Sequence, residues 1–283
     1  MRQWTSAIAE TKSAYVLLAS AAASCALCSL LFNRVIDQDG ARWCQRQKWK
    51  ALPGWRKLTC AADVVSLLHA LVVSPIALYA FYEIIARADD DVSVECGHQP
   101  NLATTPSPLA TIVATGIACG NFLYDCYLML VFVPETNMRF AAAGGAWVMW
   151  LHHFLSILVW PYCVLTNRGT YFVTWMLTTE VSNIGQNAFS LSEFGGMNDK
   201  GRMAIGIGWM LSFFIVRMLP ALSVLGTYYR LLMASGACGF ALLDRCIGLV
   251  TVPIPIVLNA VWFKEMLVVA YRRLSADSEK KRE

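Results

Sequence analysis

Charge is scarce in this sequence. Asp, Glu, Lys and Arg make up 15% of its 283 residues, against about a quarter of an average soluble domain, so a water-facing globular surface is excluded. Histidine is scarcer still, with four in all. That is too few for the repeated HxxxH and HxxHH clusters with which membrane desaturases and hydroxylases hold two irons. There is no Gly-rich phosphate loop, no GxSxG elbow and no HExxH helix. The ten cysteines include a single CxxC, Cys25 and Cys28, with no histidine at zinc spacing, so no metal is expected and buried thiols are the reading. Cys44 and Cys96 lie in polar loops. No basic run alternates with aromatics and the net charge is only +4, which excludes nucleic acid as a partner.

What fills the sequence is apolar, at 57% of residues. Crossing about 30 Å of hydrocarbon takes about twenty helical residues, and seven stretches meet that length: about 13–33, 58–86, 109–134, 141–165, 170–189, 203–229 and 246–271. The expected fold is therefore all-α, a multi-pass membrane bundle of about seven transmembrane helices. Residues 231–243 are too short to cross and read as a re-entrant or interfacial piece. The basic loop 34–57, Arg139, the Lys200/Arg202 loop and the tail then fall on one side, and the acidic loop with Asp89, Asp90, Asp91 and Glu95 on the other. By the positive-inside rule the basic side is cytosolic, which puts the amino terminus outside.

Ionisable groups inside such spans are costly and mark functional sites. His152 and His153 stand side by side near the centre of 141–165, and His69, Asp125, Glu180, Arg217 and Asn259 fall at comparable depths in five other spans. Asp125, Glu180 and Arg217 alone would cost roughly 8 to 10 kcal/mol if unpaired at a helix centre. Helical spacing also places Glu180, Asn183 and Asn187 on one face, with Thr179 and Gln186 beside them, and that face must point into the bundle. A central chamber with polar groups among apolar helix faces follows. Two uses of it remain open. A histidine held by a carboxylate is suited to act as base or as an acyl-carrying nucleophile, with Arg217 neutralising a carboxylate or an oxyanion. Alternatively Arg217 and Glu180 form a structural pair, His69 is a satisfied interhelical histidine, and the chamber only binds lipid. Ser156, one turn beyond His152, reads as pocket-lining or bonded to its own backbone. Trp160 and Tyr162 read as interfacial anchors.

These residues carry a family likeness. HALVVSPIALYA with His69, NFLYD with Asp125, the His152/His153 pair, TTEVSNIGQN with Glu180 and Ser182, FFIVRMLP with Arg217 and LNAVWFKEM with Asn259 occur in an order and spacing that resembles the TLC-domain family. That family takes in the translocating-chain-associating proteins, the longevity-assurance ceramide synthases and the neuronal ceroid-lipofuscinosis membrane protein. The likeness divides the chain into an N-terminal span and basic loop (1–54), a TLC domain (55–271) and a tail (272–283). It implies an endoplasmic-reticulum bundle that handles lipid, with no bound cofactor. In the ceramide synthase branch the histidine pair serves acyl transfer from acyl-coenzyme A to a sphingoid amine. By that likeness His152 and His153 would be catalytic, Asp125 or Glu180 would orient the imidazole and Arg217 would balance charge. His69, Ser156, Asn183, Asn187 and Asn259 would line the lipid pocket. Ceramide synthases follow the pair with a His-Asp and a further Asp, where this chain has Thr179, Glu180 and Asn183. Its wording is more similar to the TLC proteins of membrane lipid balance, so lipid homeostasis is the leading expectation and N-acyl transfer the runner-up. A cargo receptor or translocation accessory is a third reading, poorly served by loops this short. Lys280 and Lys281 resemble a dilysine retrieval signal, which works only from the cytosol.

Overall fold

A computed structural model describes residues 2–36, 46–90, 92–93, 99–100, 102–141, 145–234 and 239–280. The centre of the basic loop, most of the acidic loop, Cys44, Cys96 and Lys281 lie outside the described residues, and Lys280 ends the last helix. Twelve helices make up the described chain: α1 (Arg2–Arg34), α2 (Arg46–Ala51), α3 (Gly54–Asp90), α4 (Leu109–Val131), α5 (Val133–Phe140), α6 (Ala146–Thr166), α7 (Thr170–Thr178), α8 (Glu180–Phe194), α9 (Asp199–Phe213), α10 (Ala221–Met233), α11 (Leu242–Thr251) and α12 (Pro253–Lys280). A two-residue antiparallel ribbon, β1 (Val92–Ser93) with β2 (Gln99–Pro100), closes the loop after α3. Six segments are long and apolar enough to cross a membrane: 11–34, 54–87, 109–131, 146–166, 199–233 and 242–272.

The fifth expected span, about 170–189, is not one helix. Residues 170–194 form α7 and α8, interrupted at Thr179. Thr178 and Thr179 turn their hydroxyls back on the carbonyls of Trp175 and Met176 (2.6 Å each), and Ser182 bonds the Thr179 carbonyl through both its N–H (3.1 Å) and its hydroxyl (2.8 Å). Such back-bonding competes with the helical ladder and breaks it here. The two pieces still continue in one direction, since both run antiparallel along α3. Tyr171 meets Phe81, Glu180 lies beside His69, Ser190 bonds Asp63 and Glu193 pairs with Arg56.

Small residues set the closest packing. A Cβ on Gly116 would lie 2.6 Å from the Leu17 carbonyl oxygen, and one on Gly120 only 2.2 Å from that of Ala21. Without a hydrophobic drive between helices in lipid, this close backbone approach is what holds α1 on α4. Ser24 adds a bond to the Ile117 carbonyl (2.8 Å) and Phe32 meets the edge of Tyr124 at 5.9 Å. Contacts advance in step, so α1 and α4 run parallel, and the Ser107–Thr170 and Thr111–Thr174 hydroxyl pairs put α7 parallel to α4 as well. Helix α4 is the hub, with 72% of its most apolar window buried, whereas the 199–233 segment has 11%. The second half of the bundle thus leans on the first without closing over it.

Three expectations are corrected. Helix α6 starts at Ala146, because Gly145 (φ 97°) sits in a conformation open only to glycine, so the histidine pair lies about 10 Å from the helix start and not at its centre. The piece expected at 231–243 is not a separate element among its described residues: 231–233 end α10, 242–243 begin α11, the Phe240 N–H bonds the Leu231 carbonyl (3.3 Å) and Arg245 caps the Ala234 and Phe240 carbonyls. Span six is a composite, since α9 and α10 are joined by a π-helical turn, Phe214–Met218. Pro220 offers no N–H to the ladder, and the widened turn takes up the mismatch.

Gly120→Leu should strip α1 from α4 and lower both abundance and the detergent unfolding midpoint, at a cost of about 1–3 kcal/mol or more for overpacking. Gly208→Ala, where an added Cβ meets nothing within 4 Å, should be neutral or stabilising by up to about 1 kcal/mol. Thermal unfolding of both variants beside wild type checks this.

Candidate functional site

One cavity of about 1040 Å³ runs between α3, α4, α6, α8, α9 and α12, at the upper end of the ~300–1,000 Å³ usual for small-molecule sites. Its wall on α6 extends from Trp147 to Trp160, about 20 Å of helix. His69, Asp125, His152, His153, Ser156, Glu180, Asn183, Asn187, Arg217 and Asn259 all line it. The rest of the lining is largely apolar, including Met149, Leu155, Met176, Met210 and Ile254.

The break at Thr179 organises one wall. It opens the Thr179 carbonyl, already bonded by Ser182, to a further donor, and the Arg217 side chain, presented by the π turn, supplies it (3.2 Å). The same guanidinium donates to Ser182 Oγ (2.8 Å), Asn183 Oδ1 (3.0 Å) and Asn259 Oδ1 (3.1 Å), and lies 5.0 Å over the Phe213 ring. Arg217 therefore does not pair directly with Glu180, as the structural reading expected. Asn183 stands between them, accepting from Arg217 and donating to Glu180 Oε2 (2.9 Å). An arginine at this depth is tolerated because four oxygens satisfy it.

On the facing wall, Phe122 of α4 stacks on His153 at 4.8 Å and meets His152 and Trp160 edge-on at 5.9 and 5.3 Å. His153 Nε2 stands 3.9 Å from Asp125 Oδ2, and His69 Nε2 stands 3.9 Å from Glu180 Oε2. Neither is a closed hydrogen bond. Among the described residues His69 has no hydrogen-bond partner on either nitrogen, nor have His153 Nδ1 and Asp125 Oδ1, so no described side chain satisfies His69 as the interhelical reading expected. Glu180 thus belongs to His69, and Asp125 to His153. Ser156 bonds the His152 carbonyl (2.8 Å). Trp160 is buried against Phe122 and lines the cavity, and so is no interfacial anchor; Tyr162 bonds Asp244 (2.9 Å).

Sequence reasoning missed a third cluster. At one end of the cavity Arg139 of α5 pairs with Asp63 of α3 (3.2 Å), and Asp63 also accepts from Ser190 of α8. Burial opposes the charge on Arg139, but Asp63 and Asp125 outweigh it and hold its pKa above the ordinary guanidinium value. The signal is present in the sequence, since Asp63 is an acidic residue five positions inside the expected span 58–86, but Arg139 reads there as loop charge.

A TLC-domain model matches residues 60–268, about three quarters of the chain and nearly all of the cavity's lining. The chain belongs to the TLC-domain family. No curated protein matches it significantly. Helix α1 precedes the matched TLC region yet packs along α4, the hub of that region.

Replacing Arg217 by Met should leave the side-chain oxygens of Asn183 and Asn259 without the donor that Arg217 gives them. The expected loss is about 3–5 kcal/mol, as for breaking a buried charged network, read as a lowered unfolding midpoint. Arg217→Lys should recover only part of it, because one ammonium cannot span the oxygens that the guanidinium reaches.

Proposed function

We propose that this TLC protein acts in membrane lipid homeostasis by binding or remodelling an acyl lipid inside the bundle. The observation that carries the reading is the cavity itself. It is long, apolar along its walls and sited within the spanning helices, and it brings imidazoles and carboxylates to one place. An acyl chain can lie along the apolar walls while its polar end meets the histidines, which matches the usual build of a small-molecule site.

An acyl-coenzyme A-dependent N-acyl transfer is the second reading, favoured by the His153–Asp125 pair. In it, His152 or His153 attacks the thioester carbonyl through one ring nitrogen, the C–S bond breaks, and the thiolate leaves with the proton shed from that ring's other nitrogen. The acyl group then passes to an amine, the acyl–imidazole bond breaks, and the amine's proton returns through the other imidazole to the departing ring. Against a ceramide-synthase-type site stand Thr179 and Asn183, whose oxygens are committed to Arg217.

We place the protein in the endoplasmic reticulum with its amino terminus lumenal and its tail cytosolic. With α7 and α8 as one crossing, α1, α4 and α7–α8 run one way and α3 the other. The basic loop and tail then share a side, the cytosolic one by the positive-inside rule, where Lys280 and Lys281 would serve retrieval.

Intact-protein mass spectrometry with and without palmitoyl-coenzyme A tests the reading, on wild type and His152→Ala/His153→Ala. Release of a co-purified lipid on denaturation, with no covalent shift, is the expected outcome. A fatty-acyl mass shift lost in the double variant would move the assignment to acyl transfer. Neither lipid nor adduct would refute an acyl-lipid role.

A further inference from the structure

The cavity is polarised along its length. At the end where α3, α6 and α9 begin and α8 finishes, its wall carries Asp63, Ser66, Arg139, Gln186, Asn187 and Ser190. The opposite end carries Val159, Trp160, Trp175, Val250 and Ile254. His152 and His153 lie between the two, on the stretch of α6 that runs from Trp147 to Trp160. Arg139 belongs to α5, between the crossing segments 109–131 and 146–166, so the polar end lies toward the membrane boundary, where lipid heads stand. Trp147, Leu151, Ile207 and Ile254 line the cavity and are exposed as well, so its apolar side opens toward the bilayer.

Arg139 and Asp63 form the centre of the polar end, and neither is fully used. Among the described residues the guanidinium donates to Asp63 Oδ1 alone (3.2 Å), which leaves most of its five N–H donors uncommitted. Asp63 accepts one bond on each oxygen, from Arg139 and from Ser190, and each oxygen keeps a second lone-pair site. Asn187 is only 7% exposed and lines the same wall, yet its amide has no hydrogen-bond partner among the described residues. Buried polar groups are normally bonded, so this set calls for a polar ligand. The charges decide its kind. Arg139 is already neutralised by Asp63, and the cavity's other guanidinium, Arg217, is committed to four oxygens. A lone anion therefore meets no free positive charge, and a lone cation would have to displace Arg139. A head of both signs meets both partners at once, its anionic oxygens on the spare N–H groups of Arg139 and its ammonium on the spare lone pairs of Asp63.

We propose that this end of the cavity is a headgroup subsite for a zwitterionic glycerophospholipid, with the phosphate on Arg139 and the ammonium on Asp63. The inference rests on the proposed acyl-lipid role and names the class of lipid. Asp63 and His69 are six residues apart on α3, about 9 Å of rise. That is comparable to the separation between a headgroup ammonium and the ester carbonyls of such a lipid. A head held at Asp63 and Arg139 thus brings the esters level with the histidines, and the tails run on toward Trp160 and Ile254.

Native mass spectrometry on the full-length protein in detergent tests this, with dioleoyl-phosphatidylethanolamine, dioleoyl-phosphatidylcholine, dioleoyl-phosphatidylglycerol and palmitate titrated separately. The better held of the two zwitterionic lipids should be retained at about tenfold lower concentration than either anionic one, the worth of one charge-assisted hydrogen bond. Arg139→Gln should erase that preference. Because the Arg139–Asp63 pair also ties α5 to α3, Ser66→Leu is the second variant. It leaves the pair in place, fills the subsite with an apolar side chain and should erase the preference at an unchanged unfolding midpoint. Equal or tighter retention of phosphatidylglycerol or palmitate by wild type, or a preference that survives in either folded variant, overturns the proposal. Failure of wild type to hold any of the four would remove the acyl-lipid role with it, whereas retention without regard to head charge would leave that role standing.

Discussion

A buried guanidinium in an apolar bundle has to be given oxygens, and the second half of this chain is arranged around that requirement. Arg217 receives them from α8, from the interrupted backbone before it and from α12. Two irregularities meet there: the helix break at Thr179 opens that carbonyl to Arg217 as well as to Ser182, and the π turn over Phe214–Met218 carries the arginine. Irregular backbone at membrane depth survives only where protein or a cavity covers it. Here both kinds of irregularity meet at the same cavity wall.

The other half of the bundle is held differently. Helices α1 and α4 approach through glycine, alanine and serine, and α4 and α7 are linked by hydroxyl pairs. This gives a closely packed slab that carries Asp125 on α4 and, through Phe122, stacks on His153 of α6. The 199–233 and 242–272 segments bury little of themselves, and the space left between slab and flank is the cavity. Tight packing on one side and polar bridging on the other thus yield a pocket whose reactive groups are fixed on its inner wall and whose outer wall is sparsely packed.

Much of this was legible in the sequence, for a physical reason. Polar side chains are so unfavourable against lipid that each one inside a span points inward, which is why ten residues from six predicted spans line one cavity. Pairing was not legible, because depth along a helix says nothing about rotation around it. Glu180 and Arg217 looked like partners by charge, yet Asn183 stands between them and Glu180 faces His69. Nor could hydropathy show that 170–194 breaks at Thr179, since threonine back-bonding leaves the apolar pattern intact. The Asp63–Arg139 pair escaped because a basic residue between spans normally means topology.

The central claim is that the cavity houses an acyl chain, and photo-crosslinking tests it most directly. A palmitate analogue bearing a mid-chain diazirine would be equilibrated with the protein in bilayers, irradiated and mapped by peptide mass spectrometry. The account predicts adducts concentrated on inward-facing positions such as Met149, Leu155, Met176 and Met210, reduced by excess unlabelled palmitate. Adducts confined to outward-facing positions such as Leu222 and Tyr229, with none in the cavity, would contradict it.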